Sequence, residues 1–172
     1  SKLMTEIMLR DTAAAHDFRY TALRYFNVSG ADPKMRTGQS TKGATHLIKV
    51  ACETATGKRP SMNVFGTDYD TRDGTCERDY IHVSDLVNAH YLALKRLREG
   101  GGNLVANCGY GRGSTVLEVI EAVKRVSGVD FPVIMADRRP GDAVAIVARP
   151  DLCQAELGWV PRYDNLELII SH

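Results

Sequence analysis

Two arginine-containing segments, far apart in the chain, point to anion binding. Arg78 opens an apolar run after an irregular loop, and Arg139 lies in the charged turn 138–142. A guanidinium group offers a planar fork of donors that matches phosphate oxygens. Two such groups without a wider basic cluster fit one small diphosphate ligand better than nucleic acid. The ordinary alternative is an exposed ion pair at Arg78 and a solvated turn around Arg139, each contributing little to stability.

Asn27 is a third candidate because it closes a predicted strand over residues 20–27. Ligands of open α/β sheets bind at the carboxyl ends of the strands, and an Asn side chain offers both a donor and an acceptor. Asn27 and the following Gly30 are also common turn formers. The local sequence by itself therefore favours a simple turn, and the binding hypothesis depends on the rest of the chain.

Other motifs of known chemistry are weak or missing. The glycines of segment 109–113 fall at i, i+2 and i+4, whereas a dinucleotide-binding turn needs i, i+2 and i+5, so we interpret this segment as a plain strand-to-helix turn. There is no GxxxxGK[ST] phosphate loop and no GxSxG nucleophile elbow. His46, His82 and His90 lack metal-ligand spacing, and His82 and His90 are interpreted as structural histidines.

The composition limits the class of protein. The chain has 172 residues, 44% of them apolar, and a net charge of +1, so no bulk field favours nucleic acid or a membrane surface. The apolar runs are too short to span a bilayer, and no signal peptide is visible. Four cysteines without a CxxC pair indicate reduced thiols in a cytoplasmic protein. Both chain ends fall inside predicted helices, so we expect a piece of a longer chain.

The hydrophobic pattern predicts alternating helices and strands. Helices are predicted at 1–15, 45–56, 85–99, 114–127 and 151–158, with Ser84 as the cap of the third. Strands are predicted at 20–27, 61–66, 78–83, 104–108, 132–135 and 145–148. Long polar loops separate them at 28–43 and 67–77, and loops of this length are usually functional or disordered. The alternation predicts an α/β fold.

Several motifs in this order resemble one known family. They are Ser-Lys at 1–2, Leu-Arg-Tyr-Phe-Asn at 23–27, Gly-Ala-Asp-Pro at 30–33, Val-Phe-Gly-Thr-Asp-Tyr at 64–69, Asp-Gly-Thr-Cys at 73–76, Arg-Asp-Tyr-Ile-His-Val at 78–83 and Arg-Arg-Pro-Gly-Asp at 138–142. The set resembles the UDP-glucose 4-epimerases of the extended short-chain dehydrogenase/reductase family. The resemblance spans nearly the whole chain and places it as the C-terminal half of such an enzyme.

The resemblance implies an architecture and an activity. We expect the remaining strands and helices of a Rossmann-type domain, at 1–27 and about 79–113, and a small mixed α/β substrate-binding domain, mainly at about 28–78 and 114–172. The family interconverts UDP-glucose and UDP-galactose by transient oxidation at sugar C4 with bound NAD. Its catalytic Tyr would lie four residues before Lys2 and its Gly-rich NAD turn earlier still, so we expect this chain alone to be inactive. Members often pair as homodimers, and no nucleic acid or membrane partner is implied.

The resemblance also assigns roles to individual residues. Those on the cofactor side are Lys2, which holds the nicotinamide ribose and favours the Tyr phenolate, and the nicotinamide neighbours Tyr25 and Phe26. Those on the UDP-sugar side are Asn27 at the diphosphate, His46 and Leu47 at the uridine-side helix, Asn63, Val64 and Phe65 in the uracil strand, Arg78 and Arg139 as diphosphate clamps, Asp142 at the ribose and Ile146 near the sugar.

Some positions depart from the family pattern. Val28 replaces a frequent Pro, Gln39 stands in a short loop that lacks the usual Gly-Glu, and His46 replaces an Asn of some relatives. Ile146 is bulkier than the residue that admits N-acetylated sugars, so we expect those sugars to be rejected. Two alternatives stay open, a UDP-pentose (xylose or arabinose) 4-epimerase and a non-catalytic nucleotide-sugar-binding module.

Overall fold

The structure, a computed structural model, describes all 172 residues. Six helices and nine strands alternate along the chain. The helices are α1 (Lys2–Ala15), α2 (Leu47–Ala55), α3 (Val83–Arg98), α4 (Val116–Ser127), α5 (Asp151–Leu157) and α6 (Leu166–Ser171). The strands are β1 (Thr21–Tyr25), β2 (Asn27–Ser29), β3 (Met62–Phe65), β4 (Glu77–Arg78), β5 (Tyr80–His82), β6 (Leu104–Cys108), β7 (Ser114–Thr115), β8 (Val133–Ala136) and β9 (Ala145–Ile146).

Parallel pairing dominates the sheets, which confirms the predicted α/β class. β1 pairs with β6, β2 with β5 and β3 with β8, all parallel. A three-stranded sheet has β4 in its centre, antiparallel to β7 and parallel to β9. Each parallel pair is joined through helices, as parallel connections require. None of the six helices combines the length and the hydropathy that crossing a lipid bilayer requires.

The predicted strand over residues 20–27 is wrong in one respect, because it is two strands. β1 ends at Tyr25, and Asn27 begins β2 instead of closing the run. The chain changes partner here, from β6 to β5. The predicted strand 78–83 breaks in the same way at Asp79, between β4 and β5.

The predicted cap of α3 is also wrong. The cap is His82, whose ring nitrogen Nδ1 accepts a hydrogen bond from the Ser84 backbone N–H at 3.0 Å. This imidazole nitrogen accepts the hydrogen bond that a side-chain oxygen usually accepts at the start of a helix. Thr115 caps α4 as predicted, in a capping box with Glu118.

Two hydrophobic clusters hold the elements together. One joins α2, β3, α4 and α6, with Val64, Val119 and Ile169 among its buried residues. The other joins β6, α3 and α5 around Trp159. The division into two lobes stays a prediction, and α5 packs with α3 and β6, which were predicted to belong to the other lobe.

A buried carboxylate occupies the inner side of the glycine-rich turn 109–113. The fully buried Asp79 carboxylate accepts hydrogen bonds from the backbone N–H groups of Tyr110 (3.0 Å), Gly111 (2.9 Å) and Ala148 (3.2 Å). A Cβ at Gly109 would lie 2.8 Å from this carboxylate. The amides that could cradle a phosphate are therefore already bound, which agrees with the interpretation as a plain turn.

Candidate functional site

An open groove lies where β1 passes into β2, and it collects part of the predicted site. Its volume is about 880 Å³. Five residues assigned from the sequence line it: Lys2, Tyr25, Phe26, Asn27 and His46. Lys2 is the first residue of α1, and Tyr25 ends β1 with its ring about half exposed. The strand end thus brings an ammonium, two aromatic rings, an amide and an imidazole to one cavity.

Asn27 is held in place by the strand that follows Arg78. Its side-chain Nδ2 and its backbone N both donate to the Asp79 carbonyl oxygen, each at 3.1 Å. Asn27 lies opposite Tyr80 in the β2–β5 register. The side-chain amide is therefore oriented by the Asp79 carbonyl, and its second N–H and its oxygen Oδ1 are left available to a ligand.

The floor of the groove next to Asn27 requires a glycine. Gly30 has a φ of +75°, and a Cβ there would lie 2.6 Å from the His82 ring. That ring stacks on Tyr163 with 4.5 Å between ring centroids, and its Nε2 lies 3.2 Å from Nδ1 of His172, which lines the groove. Burial lowers the pKa of His82, and the neighbouring His172 lowers it further. His82 is thus a neutral structural residue, as the sequence predicted.

One wall of the groove is the loop that precedes α2. Gln39 of this loop contacts His46, with 2.9 Å between Gln39 Nε2 and His46 Nδ1. Lys49, one helical turn later, donates to the Gln39 carbonyl oxygen at 3.4 Å and pairs with Glu53 at 2.9 Å. The loop that the sequence marked as functional or disordered is therefore tied to α2 by side chains.

A second group of assigned residues lies along β3 and the turn after β8. The Arg139 guanidinium lies over the Phe65 ring, 4.6 Å from its centroid, and Arg139 Nε donates to Asp142 Oδ2 at 2.9 Å. Val64 is buried in the core, so only its backbone is offered to a ligand, whereas the neighbouring Asn63 is exposed. The residues assigned from the sequence in β3 and in the turn after β8 therefore lie next to each other.

Arg78 and Ile146 form a third group. They are opposite each other in the β4–β9 register. Arg78 donates to the Glu77 carbonyl oxygen at 2.8 Å and makes no ion pair, so its alternative role as a surface salt bridge is not what the structure shows. The last assigned residue, Leu47, packs its side chain against the first hydrophobic cluster. The groove lining does not include Arg78 or Arg139, and their convergence with Asn27 on one diphosphate stays a prediction.

Several further side chains line the groove without having been assigned a role, and three of them carry groups that could take part in chemistry. They are Lys49, Cys52 and His172. Burial raises the pKa of the Cys52 thiol, so it is a poor nucleophile. Lys49 could have been found from its spacing, since it follows His46 by three residues on a helix. The position of His172 depends on how α6 packs against β5, which no local pattern encodes.

The comparison with known proteins gives the class of the chain. Residues 1–109 match the NAD dependent epimerase/dehydratase family, and the chain belongs to this family. It is 61% identical over 170 residues to a UDP-glucose 4-epimerase of Azospirillum brasilense, an alignment that covers 99% of this chain and 49% of the relative.

Solved structures agree with that similarity. A UDP-glucose 4-epimerase from Brucella ovis in complex with NAD is 47% identical, with a TM-score of 0.94 over 98% of this chain and 52% of that one. The UDP-Glc/GlcNAc 4-epimerase of Campylobacter jejuni is 50% identical, with a TM-score of 0.80 over 99% of this chain and 52% of that one. The chain spans about half the length of the curated relatives it matches.

Proposed function

We propose that the protein containing this chain interconverts UDP-glucose and UDP-galactose, and that this chain supplies the UDP-binding half of the enzyme. The observation that carries the proposal is the groove. It joins an ammonium and two aromatic rings, suited to a dinucleotide, with an amide and an imidazole, suited to a diphosphate and sugar hydroxyls.

The residues present fit the nicotinamide end of NAD. The Tyr25 ring is 48% exposed at the groove, so it can pack against a planar heterocycle. Lys2 Nζ has three donors and no acid partner within the chain, so it can bond ribose hydroxyls. When bound, NAD would serve as acceptor and donor of the hydride at sugar C4. The family's Gly-rich turn and catalytic Tyr are not among these 172 residues, so this chain by itself should neither hold NAD tightly nor turn over substrate.

The other residues bind the nucleotide and leave the sugar free to turn. The Asn27 side chain is oriented by its bond to the Asp79 carbonyl oxygen, so its free N–H can donate to a diphosphate oxygen, and its Oδ1 can accept from a hydroxyl, with little loss of entropy. Arg78 makes no internal ion pair, and Arg139 can exchange Asp142 for a phosphate. The strand Asn63–Phe65 would hold the uracil. Tight contacts to UDP and few to the hexose allow the 4-keto sugar to present its other face.

Turnover of UDP-galactose tests the proposal. The protein expressed from the complete reading frame should produce UDP-glucose, detected by proton NMR of the anomeric signals. Lys2→Met should lower kcat by at least about 100-fold, because the general-base step loses its ammonium partner, whereas Lys58→Met, an exposed lysine outside the groove, should not. Absence of turnover, or a Lys2→Met variant as active as the parent, would contradict the assignment.

The same assay decides the open alternatives. Faster turnover of UDP-xylose or UDP-arabinose than of UDP-galactose would make the protein a pentose 4-epimerase. Binding of UDP without turnover of any of these sugars would make it a non-catalytic binding module. The homodimer and the two-lobed division remain predictions beside this proposal.

A further inference from the structure

Gln39 contacts one of the imidazole rings that line the groove. The Gln39 side-chain nitrogen Nε2 lies 2.9 Å from His46 Nδ1. With the Gln39 amide oriented so that its NH₂ group faces the ring, Nδ1 is the acceptor of this hydrogen bond. A neutral imidazole whose Nδ1 accepts carries its proton on Nε2. This orientation of the Gln39 amide therefore corresponds to one of the two neutral tautomers of His46.

Gln39 is itself held by a chain of contacts from α2. Lys49 Nζ donates to the Gln39 carbonyl oxygen and pairs with Glu53 Oε1 at 2.9 Å. Arg59 Nε pairs with the other carboxylate oxygen of Glu53 at 2.6 Å. Hydrogen bonds from Lys49 and then Arg59 lower the pKa of Glu53 to about 2, so this carboxylate remains charged at neutral pH. The anchor of the Gln39 backbone is thus an ion-paired helix face.

The selected tautomer determines what His46 offers to the groove. With Nδ1 occupied, its remaining ring nitrogen is an N–H donor. The other titratable side chains on the groove wall are Lys2, Tyr25, Asp32, Lys49, Cys52 and His172. Two of them are cations, and the one carboxylate, Asp32, is paired with Arg36 at 2.5 Å. A donor among these cations suits an anionic or hydroxyl oxygen and repels another donor.

We propose that Gln39 is a positioning residue: it fixes His46 as the Nδ1-acceptor tautomer, so that His46 Nε2–H donates to a phosphate or hydroxyl oxygen of the bound nucleotide sugar. The identity of the ligand rests on the proposed function, but the tautomer does not. His46 had a role only by resemblance, and Gln39 had none. At position 46, where some relatives have Asn, the contact with Gln39 thus makes the His ring a hydrogen-bond donor of defined direction.

The tautomer can be measured without any substrate. In the protein from the complete reading frame, labelled with [¹⁵N]histidine, His46 should show an unprotonated Nδ1 and a protonated Nε2, assigned by comparison with His46→Gln. Gln39→Ala should give averaged shifts that indicate exchange between tautomers. Gln154→Ala is the matched control, since it removes the other glutamine, which is exposed on α5, and should leave the spectrum unchanged. A protonated Nδ1 in the parent, or a Gln39→Ala spectrum identical to the parent, would overturn the proposal.

UDP binding by calorimetry gives the functional readout. Gln39→Ala should weaken UDP binding by about three- to tenfold, which is the loss expected when a hydrogen bond to a charged group is made only part of the time. In Gln39→Glu the new carboxylate accepts from Nδ1–H, so Nε2 is an acceptor in the neutral ring and a donor only in the imidazolium. UDP binding of this variant should therefore strengthen as the pH falls from 8 to 6 by more than that of Gln154→Glu.

The outcomes separate this proposal from the assignment of function. A fixed tautomer in a protein that binds no UDP would refute the function and leave the positioning role of Gln39 intact. UDP binding that neither Gln39 variant alters, at any pH, would refute the positioning role and leave the function intact.

Discussion

Asp79→Asn should destabilise the protein strongly although it changes one atom. The Asp79 carboxylate is completely buried and receives three backbone N–H groups, from Tyr110, Gly111 and Ala148. It fixes the turn after β6 and the segment after β9, and it lies between Arg78 and Tyr80, next to the strand that orients Asn27. The substitution keeps the volume but removes the charge.

The magnitude follows from the number of bonds. A hydrogen bond to a charged group contributes roughly 1.5–3 kcal/mol, and a neutral one roughly 0.5–1.5 kcal/mol. In the least unfavourable rotamer the Asn oxygen takes the place of Oδ2, which contacts all three amides, and each bond then loses about 1 kcal/mol. The expected loss is therefore about 3 kcal/mol in the free energy of unfolding. For a chain of this size that corresponds to a fall of about 6–12 °C in Tm.

Urea denaturation followed by circular dichroism measures this loss, and thermal melts check it. Asp164→Asn is the matched control, because Asp164 pairs with Arg112 on the surface with more than half of its side chain exposed, and such a pair contributes less than about 1 kcal/mol. If Asp79→Asn is no less stable than Asp164→Asn, the three amides do not depend on the carboxylate charge, and the interpretation of the 109–113 turn is wrong.

Three further predictions concern helix capping, pH and specificity. Thr115→Val should cost about 2 kcal/mol in urea denaturation, because the buried hydroxyl caps α4; an unchanged midpoint would exclude the cap. Lys49 and Arg59 lower the pKa of Glu53 to about 2, below its unfolded value, so this pairing stabilises the fold above about pH 4.5 and is lost as the pH falls towards 2. Glu53→Gln should show a smaller loss of unfolding free energy over that range, and equal slopes for both proteins would contradict the pairing. The bulk of Ile146 should make turnover of UDP-N-acetylglucosamine at least tenfold slower than that of UDP-glucose, and near-equal rates would refute this role.

The elements that depend on local pattern could be predicted from the sequence. The apolar spacing and the Thr115 capping box define α4, and Gly158 ends α5, because these signals lie within a few residues of each other. The family motifs likewise indicated Lys2 and Tyr25, which meet in one groove.

The features that depend on distant partners could not be predicted. The break at Phe26 exists because β1 and β2 pair with strands that lie some 50 to 80 residues away along the chain. The contact of His82 with His172 and the hydrogen bonds from Asp79 to the 109–113 turn also join remote segments. Hydrophobic periodicity carries no information about such pairings.

A crystal structure of the complete protein with UDP-glucose tests the central claim most directly. We expect the hexose in the groove beside Lys2 and Tyr25, with diphosphate oxygens within hydrogen-bond distance of Asn27 and of the Arg78 and Arg139 guanidinium groups. A nucleotide bound elsewhere on the protein, with Arg78 and Arg139 more than a water-mediated contact away from its diphosphate, would contradict the account.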